Sequence, residues 1–166
     1  MLYTSFDSPV GRLVALGDGH ALHGLYMQEG RTAIAIRPEW EGADDPFAEL
    51  REQLSEYFDG HRQTFDLALE TAGSPFQRRV WRALQEIPYG ETVSYAELAA
   101  RVGRPAAFRA VGAANGRNPI AIVIPCHRVI GANGSLTGFG GGLPIKGRLL
   151  ALERAGSGLW RPQPSV

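Results

Sequence analysis

The chain has 166 residues, 44% hydrophobic and 20% charged, and its single cysteine excludes an intramolecular disulfide framework, which fits one medium or two small domains in a reducing compartment. Its formal net charge of zero hides a dipole: residues 1–72 carry five arginines against thirteen Asp and Glu, a balance of −8, and residues 73–166 carry eleven arginines and Lys146 against four glutamates, a balance of +8. A basic second half can neutralise phosphates, so the neutral total does not exclude a nucleic-acid partner.

The start, MLYTSFDSPVGRLV, lacks a basic segment followed by an apolar run, so no secretory signal is expected. No stretch approaches the length of a membrane span, and the expected location is cytoplasmic. LYTSF, RLVAL and ALHGLYM, separated by DSPVG and GDGH, predict a strand meander. Phe47, Leu50, Leu54, Tyr57 and Phe58 then recur at helical spacing, with Gly60 as a stop, and QTFDLALE returns to strand alternation. His20, His23 and His61 are scattered without ligand spacing and read as surface or turn residues. The character changes near ETAGSPFQ. The expected division is an N-terminal α/β domain, residues 1–72, and a C-terminal domain, residues 73–166.

In the second half, Ser74 with Gln77 forms a capping box ahead of a stripe of Phe76, Val80, Leu84 and Ile87. Ser94 with Glu97 forms another, opening a short helix through SYAELAARV that Gly103 closes. Pro105 suits the first turn of a third helix, PAAFRAVGAAN, and the pair outlines a helix-turn-helix. Ala106, Ala107, Ala110, Gly112, Ala113 and Ala114 leave this helix slim, with Arg109 its only charge. Such a helix fits a narrow groove, with Arg109 as a wedge, or packs closely inside the domain; the residues alone slightly favour the interior. Ile120 to Ile124 predicts a buried strand, Asn133-Gly134 a tight turn, Gly138 to Gly142 a glycine-rich loop around Phe139, and Leu143 to Ala155 a closing helix. The tail after it, GSGLWRPQPSV, is expected to be poorly ordered.

The lone cysteine sits in IPCHRV. Zinc needs three or four protein ligands at characteristic spacing, and one Cys beside one His supplies no such set. Packing is the default for a free cysteine. A nucleophile instead needs access and a base or positive neighbours to lower its pKa from about 8.5. His127 and Arg128 follow directly and predict that Cys126 lies at a strand mouth near solvent, which leaves packing and nucleophile both open.

The order and spacing of SYAELA, NPIAIVIPCHRVIG and TGFGGGLPIKGRLLALE closely resemble the O6-alkylguanine-DNA alkyltransferases, or methylated-DNA–protein-cysteine methyltransferases, over the whole second half, and more loosely over the first. The resemblance implies an α/β fold with a mostly helical C-terminal domain, and direct repair of O6-alkylguanine by alkyl transfer to Cys126, with O4-alkylthymine an open further substrate. Cys126 would be the nucleophile; His127, through a water, would take its proton; Glu153 would polarise the histidine; Asn118 would brace the bend; Tyr95 would protonate N3 of the flipped guanine. Arg109 would fill the gap in the duplex. Ala106, Ala110, Asn115 and Arg128 would meet DNA or base, as would backbone at Cys126 and Val129 and the loop at Phe139 and Gly140. Lys146 matches a lysine at the start of the closing helix.

Flipping costs a few kcal/mol, less for a poorly paired base, and the thioether product has no activated carbonyl or phosphoryl for water to attack, so each molecule should act once. The partner implied is double-stranded DNA bound by a monomer, singly or cooperatively, with no membrane, cofactor or metal; the zinc of some relatives needs cysteines absent here. Phe139 stands where the family often has Tyr, which removes any phenol contribution there. The main rival is a non-catalytic relative that binds alkylated DNA and recruits other repair factors; such proteins replace the cysteine. A transcription regulator would need major-groove contacts this helix lacks, and a Cys-His hydrolase would need an oxyanion loop.

Overall fold

The computed structural model describes residues 1–156; most of the tail expected to be poorly ordered lies outside the described residues. Strands β1 (Leu2–Ser8), β2 (Gly11–Gly17) and β3 (Leu22–Met27) form the expected antiparallel meander. In the first turn, Ser8 Oγ accepts Val10 N–H at 3.2 Å and donates to Gly11 O at 2.6 Å. Gly11 lies at φ +93°, a conformation that disfavours side-chain-bearing residues. A two-residue strand that the sequence reading does not anticipate, β4 (Glu41–Gly42), pairs in parallel with β1, giving the order β3-β2-β1-β4.

The helix expected after it begins as a 3-10 turn at Asp45–Phe47 and continues as α1 (Ala48–Phe58), with Leu50, Leu54 and Tyr57 buried. The strand expected from QTFDLALE shrinks to one bridge, Leu22 to Leu69. The free edge of β3 is divided: Leu22 bonds Ala68 O and Glu70 N, whereas Leu25 bonds Pro119 O and Ala121 N. Neither segment can extend without displacing the other.

Helix α2 (Pro75–Gln85) starts at the expected capping box, Gln77 N to Ser74 Oγ at 3.1 Å and Ser74 N to Gln77 Oε1 at 3.0 Å. β5 (Val93–Ser94) leads into α3 (Tyr95–Arg101), whose own box joins Ser94 and Glu97, and Gly103 closes it at φ +78°. Helix α4 (Phe108–Gly116) starts later than expected. Pro105 and Ala106 belong instead to a turn in which Ala107 N–H donates to Arg104 O at 2.9 Å, a position where the fixed φ of proline favours a turn as readily as a first helical residue. Val111, Ala114 and Asn115 pack inward, and Trp81 Nε1 donates to Ala114 O at 2.9 Å. Arg109, Ala110 and Ala113 are exposed. The fully interior reading of this helix is therefore corrected: one side packs and the other faces outward.

Ile120 and Ile122 to Ile124 are buried as expected and Ala121 partly so, but the segment forms one bridge at Ile120 and a turn, not a strand. Asn118 pinches it, accepting Ile120 N–H at 3.0 Å and donating to Ile124 O at 2.7 Å. Ile122 sits at φ +71° inside a tight turn, Val123 N to Ala121 O at 2.8 Å; for a β-branched residue this strain costs about 1–3 kcal/mol. A 3-10 turn at Cys126–Arg128 follows, then β6 (Val129–Ile130), parallel to β5, and the closing helix α5 (Leu143–Gly156). One contiguous apolar core runs through both halves of the chain.

Gly147 lies inside α5 without positive φ, and a Cβ there would meet only Leu136 Cδ1 at 3.5 Å, an ordinary contact. Gly147→Ala is expected to stabilise the protein by about 1 kcal/mol. A raised urea midpoint with unchanged slope checks it.

Candidate active site

Cys126 is 7% exposed, and His127 and Arg128 are buried beside it, so the expected position near solvent is corrected. The basic residues after it turn inward because α5 delivers a buried carboxylate. Glu153 accepts His127 Nε2–H at 2.6 Å, Arg128 Nε–H at 2.7 Å, Arg128 Nη2–H at 3.0 Å and Tyr57 O–H at 2.7 Å. Arg128 Nη1 also donates to Ile87 O at 2.7 Å. Burial alone pushes the Glu153 carboxyl up, but the hydrogen bond and charge of His127, then those of Arg128, hold it down to about 2. A carboxylate only accepts, so His127 donates through Nε2–H, which leaves Nδ1 as the ring nitrogen that Glu153 does not engage. Nδ1 is buried and has no hydrogen-bond partner.

Burial pushes the Cys126 thiol up, opposed by a hydrogen bond with Asn118 and by the charge of Lys146. At rest the sulfur is therefore a thiol and needs a base. Lys146 is buried at the start of α5, with Nζ donating to Val129 O at 2.6 Å and Thr137 O at 2.7 Å. Asn118 fixes the turns that carry Cys126, and Asn115 Nδ2 approaches Cys126 O at 3.4 Å while its Oδ1 is buried without a partner.

A cavity of about 680 Å³ opens beside this cluster, lined by Tyr95, Gly112, Gly116, Thr137, Phe139 and Gly140 among others. A smaller space of about 20 Å³ touches Cys126, Asn115 and Asn118, and it shares Thr32, Gly116, Gly138, Phe139 and Gly140 with the larger one. Thr137 Oγ1 donates to Tyr95 Oη at 3.2 Å. The glycine loop is held from the first half: Arg31 N–H donates to Gly140 O at 2.7 Å, and a Cβ on Gly30 or Gly140 would overlap the facing chain.

The structure thus places Cys126, Asn115, Asn118, Phe139 and Gly140 on the smaller space and Tyr95 on the wall of the larger one, whereas His127, Val129 and Glu153 are buried and line neither. Arg109 and Ala110 stand on the exposed side of α4, with Ala106 in the turn before it. Arg128, expected at DNA or substrate, is an internal ion-pair partner. Tyr57 is the residue that sequence reasoning misses: its spacing marks it as core, and nothing local reveals that its hydroxyl reaches Glu153, 96 positions away. Tyr57→Phe is expected to lower stability by about 1.5–3 kcal/mol, the range for a hydrogen bond to a charge, read by urea unfolding. Burial, then the Glu153 charge, push the Tyr57 phenol up, so it remains a donor.

Among the described residues, one group has metal-ligand character: Asp18, His23 and Glu70, with His23 Nε2 at 3.0 Å from Asp18 Oδ2 and 3.5 Å from Glu70 Oε2. Asp18 and Glu70 are exposed and His23 is partly buried between them, so the fold brings to His23 the carboxylates that spacing did not reveal. No described helix is long and apolar enough to cross a membrane.

Residues 1–71 match a family model described as 6-O-methylguanine DNA methyltransferase, ribonuclease-like domain, and residues 75–155 match the DNA binding domain of the same family. The chain is 56% identical over 152 residues to a methylated-DNA–protein-cysteine methyltransferase of Mycolicibacterium paratuberculosis, covering 92% of each chain. It is 49% identical over 153 residues to one of Methanosarcina acetivorans, covering 92% of this chain and 98% of that one. The fold superposes on Mycobacterium tuberculosis OGT in complex with DNA with a TM-score of 0.88 at 49% identity, covering 94% of each chain.

Proposed function

Since the chain belongs to the 6-O-methylguanine DNA methyltransferase family, we propose that Cys126 is the residue that receives the alkyl group. The protein is a DNA-repair methyltransferase whose acceptor is a cysteine of its own chain, and the sequence contains one. That this single cysteine lies in a pocket beside a carboxylate-held histidine is the observation that carries the assignment.

In the proposed step, Cys126 Sγ attacks the O6-alkyl carbon, the S–C bond forms and the C–O6 bond breaks. The thiol proton moves to His127 Nδ1 through a water. Glu153 stabilises the imidazolium that forms, much as a carboxylate does in a catalytic triad. Guanine would leave as an anion that Tyr95 O–H is assigned to protonate at N3, and the proton taken by His127 returns through solvent to the Tyr95 oxygen, so that one proton passes in net from sulfur to the base. Asn118 holds the nucleophile's turn, and Lys146 favours the thiolate. The unpartnered Asn115 Oδ1 and the second lone pair of the Val129 carbonyl are acceptors for base or water.

O6 lies within the base stack, so the nucleotide must leave the duplex. Arg109, exposed on α4, is assigned to the vacancy, with Ala106 and Ala110 allowing close approach to the minor groove. A base entering the larger cavity reaches Cys126 by moving the shared loop at Phe139 and Gly140. We also assign residues 1–72 to support of this loop and of Glu153, residues 73–166 to DNA and chemistry, and the whole to a cytoplasmic monomer on O6-alkylguanine duplex.

The test is mass spectrometry after mixing the protein with excess duplex carrying one O6-methylguanine. One added methyl per molecule on the peptide holding Cys126 is expected. Tight lesion binding without transfer would return the reading to a non-catalytic recognition protein.

A further inference from the structure

Phe108 opens α4, is 51% exposed, and belongs neither to the apolar core nor to the side chains packed against it. Single exposed apolar residues are ordinary in themselves. The position of this one is what matters. At 100° per residue, Val111, Ala114 and Asn115 define the inward side of α4, and Arg109 and Ala113 lie opposite. Phe108 falls on the flank between them, one turn before Gly112. Gly112 lines the larger cavity, and a Cβ there would stand 3.7 Å from the Tyr95 ring. Ala113 and Gly116 line the cavity as well, so it opens on the Arg109 side of α4, and Phe108 borders that side next to Gly112.

A helix that lies in the minor groove brings its exposed side against sugar edges and base steps, and apolar side chains there act as wedges between bases. Besides Arg109, the exposed side of α4 carries the small Ala110 and Ala113, with exposed Ala106 in the turn before it. Arg109 supplies charge and hydrogen-bond donors to a vacated position but little flat apolar surface. Phe108 supplies that surface. We propose that Phe108 is a second, aromatic wedge: its ring stacks on the base step bordering the vacancy and holds that step open while Arg109 occupies the gap. This rests on the base-extrusion reading above and adds to it the residue that keeps the flanking step from restacking. An aromatic face stacks on any base, so the wedge works without regard to the neighbouring sequence.

A wedge acts only where there is a stack to hold open. The experiment compares methyl-transfer rates, below saturation, on a duplex carrying one O6-methylguanine and on the same strand unpaired. The expected result for Phe108→Ala is a fall of about 10- to 100-fold in the ratio of duplex to single-strand rate. Phe108→Trp restores the ratio, and Phe108→Leu falls between. With 2-aminopurine next to the lesion, the fluorescence gain on binding is smaller for Phe108→Ala than for the unaltered protein. A ratio unchanged in Phe108→Ala overturns the proposal, and so does an equal loss on both substrates, which marks a structural role. Absence of transfer from either substrate by the unaltered protein would instead overturn the alkyl-transfer reading, so the two failures are distinguishable.

Discussion

Cys126→Ser transfers no methyl group in the assay that adds one to the unaltered protein. Serine keeps the shape of the site but replaces a soft, polarisable sulfur with an oxygen whose conjugate base is not reached beside an imidazole near neutral pH. The chain holds no second thiol to take over. The variant puts a hydroxyl where a buried thiol stood, with Asn118 as a neighbour, so its stability should fall by no more than about 1–3 kcal/mol. It should still fold and bind the lesion duplex. Intact-mass measurement after an excess of alkylated duplex decides it, and a methyl found elsewhere on Cys126→Ser would remove Cys126 as the acceptor.

Glu153→Gln has the second large effect, and it should strike stability and chemistry together. Its carboxylate is nearly inaccessible and accepts from His127, Arg128 and Tyr57 at once. A neutral amide leaves Arg128 buried without its counter-charge, which costs about 3–5 kcal/mol. It also removes the anion that fixes the His127 tautomer, so transfer slows even in molecules that stay folded. The acid limb gives a separate signature. The folded Glu153 sits at about 2, below its ordinary value of 4.5, so the unfolded chain binds more protons between those two values. Its contribution is therefore present above about pH 4.5 and is lost as pH falls toward about 2. Urea unfolding across that window should show a shallower pH slope for Glu153→Gln than for the unaltered protein. Equal slopes would mean that the carboxylate is not held as the geometry describes.

Several parts of this site are legible in the residues themselves. The two capping boxes, Ser74 with Gln77 and Ser94 with Glu97, form as read, because a cap depends on residues three apart and on nothing distant. The meander is equally local, its first turn closed by Ser8 and Gly11. The misreadings have one physical source. QTFDLALE alternates like a strand, but β3 offers it one bridge and gives the rest of its edge to residues 119–121. Ile120 to Ile124 is apolar enough for a strand, but Asn118 ties both ends and coils it. Pro105 fits a first helical turn and a β-turn alike.

The sequence by itself determined the local devices and the chemistry available: helix starts and stops, a single thiol beside an imidazole, a slim helix bearing one arginine, and a basic second half. These follow from side-chain type and from spacings of a few residues, where propensity and hydrogen bonding act without a partner element. Only the tertiary structure decided which way the charges face. IPCHRV reads as a cysteine with basic neighbours at a solvent-facing mouth, yet His127 and Arg128 turn inward because Glu153 on α5 and Tyr57 on α1 meet them there. Burying a cation is favourable only when a distant chain segment supplies its counter-charge and hydrogen bonds, and that pairing exists only once both halves share one core.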